Sequence, residues 1–70
     1  MKYPNKIADS REDMDLSREY LATYAKVSRR AIGYYENGEK VPNVIAAILI
    51  ARALKTTVED LFQDSVDGGP

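Results

Sequence analysis

Residues 16–38, Leu-Ser-Arg-Glu-Tyr-Leu-Ala-Thr-Tyr-Ala-Lys-Val-Ser-Arg-Arg-Ala-Ile-Gly-Tyr-Tyr-Glu-Asn-Gly, contain two serines eleven residues apart, each opening a short run with apolar residues at helical spacing. A serine just before such a run marks a helix start, because its hydroxyl accepts a backbone N–H that the first turn leaves without a partner. Ser17 therefore opens a helix whose inner face is Tyr20, Leu21 and Ala22, and Ser28 opens a second whose inner face is Ile32 and Tyr35. Small Ala22 allows the two helices to cross closely. Val27 is expected to point back into the angle between them, and Asn37-Gly38 to end the second helix with residues that tolerate positive φ. On geometry alone an ordinary helical hairpin in a small bundle fits equally well.

Outward from this pair, the spacing predicts a first helix from Pro4 or Asn5 to about Asp13, with Ile7, Arg11 and Met14 on one face and Asp15 in the following turn. Asn43 caps a helix running to about Leu54, and Thr57 caps a short last one ending near Phe62, with Glu59 and Asp60 favourable to its dipole. The expected division is a domain over 1–62 and a flexible acidic tail over 63–70. No useful period-2 alternation occurs, so the fold class is all-α.

Seventy residues make one domain with a modest core, a size at which dimerisation helps stability. With no Cys and no His, neither a disulfide framework nor the usual zinc ligands and general bases are present, which argues against an enzyme and against a metal or other cofactor. The carboxylates Asp9, Glu12, Asp13 and Asp15 would be scattered around a helix axis and make a poor cation site. No apolar run approaches membrane-spanning length and no secretion signal opens the chain, so a cytoplasmic protein is expected.

The net charge of −1 argues against nonspecific nucleic-acid binding, but its distribution is uneven. Between Arg18 and Tyr35 lie Arg18, Lys26, Arg29 and Arg30 against the single acid Glu19, whereas 56–70 holds four acids and no base. Two arginines opening a helix are suited to phosphates and to the O6/N7 edge of guanine, which makes double-stranded DNA the first partner to consider.

Taken together, Arg11, Leu16-Ser17, Leu21-Ala22, Val27-Ser28, Ile32, Tyr35-Glu36-Asn37-Gly38, Pro42, Ile50-Ala51-Arg52-Ala53-Leu54 and Leu61-Phe62 resemble the phage Cro and repressor type of helix-turn-helix domain, also called the xenobiotic response element family, over about residues 6–62. The resemblance implies a five-helix, lambda-repressor-like domain acting as a dimer, with recognition helices in successive major grooves about 34 Å apart. It implies an ion pair between Arg11 and Glu36, base contacts from Arg29, Arg30 and Tyr34, and phosphate contacts from Ser17, Arg18, Ser28 and Lys40. The chain departs from the family pattern at Lys26 and Lys55, where glycines are usual, at Ala25, whose missing volume Tyr20 or Tyr24 could fill, and at Gly33 inside the recognition helix.

The implied function is a sequence-specific transcriptional regulator of repressor type, as in phages, mobile elements, restriction systems or toxin-antitoxin pairs, binding a palindromic operator. The alternative is a protein-interaction module, an antitoxin or anti-repressor, that uses the same fold to hold a protein partner. The helix over 44–54 bears on both, since its only charge is Arg52. Val44, Ala47, Ile50, Ala51 and Leu54 match inward positions, which leaves Ile45 and Leu49, joined by Val58 and by Ala46 and Ala53, as the expected homodimer contact.

Overall fold

The computed structural model describes residues 2–67. Six helices follow one another: α1 Ile7–Asp13, α2 Arg18–Ala25, α3 Arg29–Glu36, α4 Val44–Ala53, α5 Val58–Leu61 and α6 Gln63–Asp67. Four of the helix starts use the side chains expected of them. Ser17, Ser28, Asn43 and Thr57 each accept the backbone N–H three residues on, at 2.8 to 3.0 Å. The start of α1 is held by Asn5, whose Oδ1 accepts from the Ile7 amide at 3.0 Å while its Nδ2 donates to the Tyr35 carbonyl at 2.8 Å. One side chain thus meets the first amide of α1 and ties that helix to the end of α3.

Three helix ends are built on left-handed residues, Asp15, Lys26 and Lys55, with φ of 56°, 60° and 56°. The two lysines stand where the resemblance places glycine, and the backbone adopts the glycine-like conformation regardless. A Cβ in this region costs roughly 1 kcal/mol, which the return hydrogen bonds across each turn offset. Val27 N–H donates to Ala22 C=O, and Thr56 N–H to Ala51 C=O.

The core is centred on Ile7, Leu21, Ile32, Ile50 and Leu61, one fully buried residue from each of the first five helices. Ala22 and Ala25 of α2 are buried as well, and α2 packs against both α3 and α4. Small residues on the central helix permit two neighbours at close range. Val27, Leu16, Met14, Tyr35, Leu49 and Val58 pack partly buried around this centre.

Several expectations change. Tyr20 does not join the inner face of α2 but lies 48% exposed, and Tyr24 is exposed as well; the two rings lie against each other, centroids 6.1 Å apart. On α4, Val44 faces outward at 70% exposure while Ala46 and Ala53 are buried. The reason is rotational. At about 100° per residue, an arc holding Ala46, Ala47, Ile50, Ala51, Ala53 and Leu54 turns Val44, Ile48 and Ile45 outward together with Arg52. Ala46 and Ala53 therefore leave the expected dimer contact, and Leu49 and Val58 rest against the core. The stretch read as tail opens with α6, whose Ser65 hydroxyl donates to the Pro4 carbonyl at 2.7 Å; residues 68–70 lie outside the described residues.

Candidate nucleic-acid interface

Glu36 ends α3 with its carboxylate only 1% exposed, so its charge must be met by donors. Arg11 Nε donates to Oε2 at 2.6 Å, and Arg18 Nε donates to Oε1 at 2.9 Å. Arg11 Nη1 also donates to the Leu16 carbonyl at 2.9 Å, tying the α1–α2 turn to the same cluster. The Glu36 hydrogen bond raises the Arg11 guanidinium above its ordinary pKa, while burial acts in the opposite direction. The expected Arg11–Glu36 pair is thus a cluster of three residues joining α1, α2 and α3.

Arg18 accordingly has a second task. Its Nε belongs to Glu36, yet its side chain remains 46% exposed at the start of α2. It lines an open groove with Arg29, Arg30, Gly33, Tyr34, Asn37 and Glu39, and an adjoining depression with Ser17, Glu19 and Arg29. The fold therefore gathers Ser17, Arg18, Arg29, Arg30 and Tyr34 on one side of the molecule. Ser28 caps α3 beside them, and the Lys40 ammonium lies 4.7 Å from the centroid of the Tyr34 ring, a cation–π distance. Ser17 and Ser28 use their hydroxyl oxygens as acceptors for the caps, which leaves each O–H able to donate to an anion.

Two residues of the groove escape a reading based on motifs. Asn37 Nδ2 donates to Glu39 Oε1 at 3.3 Å, and the Glu39 amide donates to the Tyr34 carbonyl at 2.9 Å, which folds the chain after α3 back onto the groove. The available signal was helical periodicity: Arg29, Gly33 and Asn37 stand at i, i+4 and i+8 on one face. Glu39 carried no comparable signal, because a loop places it there.

Ile45, Leu49 and Val58 line neither depression. A separate apolar cleft of about 510 Å³ lies between Val41, Pro42, Val44 and Ala47 on one side and Val58, Phe62 and Val66 on the other. No helix among the described residues is long and apolar enough to cross a membrane.

The family model described as helix-turn-helix matches residues 7–61. An uncharacterised HTH-type transcriptional regulator of Bacillus subtilis, YgzD, is 31% identical over 58 residues, covering 83% of this chain and 88% of that protein. An uncharacterised HTH-type transcriptional regulator of Methanothermobacter thermautotrophicus is 38% identical over 63 residues, covering 89% of this chain and 91% of that protein. With the model spanning the capped pair α2 and α3 and the core that orients them, the chain belongs to the helix-turn-helix family.

Proposed function

We propose that this protein is a sequence-specific transcriptional regulator that binds double-stranded DNA, acting as a homodimeric repressor on a palindromic operator. The observation that carries the reading is the groove at the start of α3, where Arg18, Arg29 and Arg30 stand together on a chain of net charge −1. Three guanidinium groups gathered on one side of an acidic protein suit a polyanion, and a capped helix that begins with two of them suits the major groove. In this reading Arg29, Arg30 and Tyr34 meet base edges, and Ser17, Arg18, Ser28 and Lys40 meet phosphates. The relatives' names, HTH-type transcriptional regulators, agree with it.

The dimer contact in this reading lies on the outer face of α4, where Ile45 is joined by Val44 and Ile48, at 64%, 70% and 40% exposure. Arg52 shares this face, so the self-complementary part of a two-fold contact would be these three apolar side chains, with the Arg52 charges kept apart at its rim. The apolar cleft beside it favours the second reading, a module that holds a protein partner. Selection of bound fragments from a random duplex pool decides between them: enrichment of a palindrome supports the regulator, and failure to enrich any sequence, with retention of a protein partner, supports the module.

A further inference from the structure

Gly33 lies in the middle of α3, where glycine weakens a helix relative to alanine, yet nothing in the fold requires it. Its φ is not positive, and a Cβ built on it would meet nothing within 4 Å beyond its chain neighbours and the backbone of its own helix. By contrast Gly38, the other glycine among the described residues, has φ of +76° and would place a Cβ 2.8 Å from the Tyr3 carbonyl oxygen. One glycine is demanded by the backbone and the other is not.

The place of Gly33 supplies the reason. It lines the arginine groove, with Arg29 and Asn37 one turn away on either side and Arg30 and Tyr34 flanking it. Longer side chains surround a position that has none, so the reading face carries a notch floored by backbone. We propose that Gly33 is a specificity-determining residue: its notch admits the edge of one base pair to the helix backbone, and the group it accepts is the C5-methyl of thymine. This rests on the DNA-binding reading given above. The thymine methyl is the apolar group that a base pair presents in the major groove, and the bare Cα of Gly33, with open space where a Cβ would stand, lets it reach the helix where a side chain would hold it off.

The test is fluorescence anisotropy with the duplex that the parent protein enriches from a random pool, using Gly33→Ala and a series of duplexes with single thymine-to-deoxyuridine replacements, which remove only the methyl. Gly33→Ala should raise the melting temperature by roughly 4 to 8 °C, the effect of restoring alanine to a helix interior in a domain of this size. It should weaken binding to the enriched duplex about tenfold or more, with unrelated duplexes bound as before. For the parent, one deoxyuridine position in each half-site should cost about fourfold, the worth of one buried methyl group. On that same duplex Gly33→Ala should recover affinity, because the new Cβ takes the space the methyl leaves. Equal or tighter binding of the enriched duplex by Gly33→Ala overturns the notch, as does an equal loss on all sequences or the absence of any methyl-sensitive position. If the parent enriches no sequence at all, the regulator reading falls and the notch with it.

Discussion

The amide of Tyr3 donates to the carbonyl of Gly38 at 2.8 Å, and the two backbones pass so closely that no side chain fits on the glycine. This contact fastens the segment before α1 to the turn that leaves α3. Lys6 N–H donates to the Leu61 carbonyl from the same segment, so residues 3–6 bind the end of α3 to the C-terminal helices. Gly38→Ala combines a left-handed alanine with a backbone clash and should cost about 2 kcal/mol or more of stability. Urea denaturation of the purified variant measures it; a loss below about 0.5 kcal/mol would show that the Tyr3 contact yields freely.

The cluster around Glu36 gives unequal costs for its two arginines. Removing Arg11 strands a buried carboxylate with only the half-exposed Arg18, and should cost about 3 kcal/mol. Arg18→Ala should cost less than about 1 kcal/mol, because Arg18 is nearly half exposed and Arg11 still meets the Glu36 carboxylate. Arg11→Ala with Glu36→Ala should be milder than the sum of the single variants, and additivity in the thermal double-mutant cycle would show that the pair is uncoupled.

For binding, Arg29→Ala and Arg30→Ala should each lose about 1 to 3 kcal/mol on the enriched site and less on unrelated duplexes. Arg18→Ala should weaken all duplexes and reduce the salt slope by about one, through its exposed terminal nitrogens. Titrations at several salt concentrations separate the two behaviours, and a sequence-selective loss for Arg18→Ala would move it among the base readers.

Assembly is tested on α4. Ile45→Glu with Ile48→Glu should give a folded monomer, since both side chains lie outside the core, that retains weak half-site binding and loses the preference for palindromes. Leu49→Glu, which puts a charge against the core, should instead lower stability. Sedimentation of the double variant at the parent's oligomeric state would place the interface elsewhere.

Lys26→Gly and Lys55→Gly should each stabilise the protein by up to about 1 kcal/mol, because both lysines hold left-handed backbone that glycine adopts without a Cβ clash. Part of the gain is offset by glycine's greater freedom in the unfolded chain. Destabilisation of either variant would mean that the lysine side chain supports its helix end by more than the strain it brings.

What the sequence by itself determined was the local grammar. Ser17, Ser28, Asn43 and Thr57 announce helix starts because capping is a contact between neighbours in the chain, whereas the left-handed turns at Lys26 and Lys55 were signalled only by the resemblance that places glycine there, since lysine itself has no preference for positive φ. The Arg11–Glu36 link was legible only as what the family resemblance implies, since the two side chains lie 25 positions apart. Tertiary structure decided the rest. The rotation of α4 depends on which arc finds a neighbour, and a helix apolar nearly all round has no pattern from which to read it; hence Val44 lies outside and Ala46 inside. Arg18 was legible as a basic residue at a helix start, but its bond to Glu36 required α2 and α3 to be set side by side. Glu39 came to the groove through a hydrogen bond folding the chain back to Tyr34, a contact made by backbone atoms that every residue carries and that side-chain identity therefore does not record.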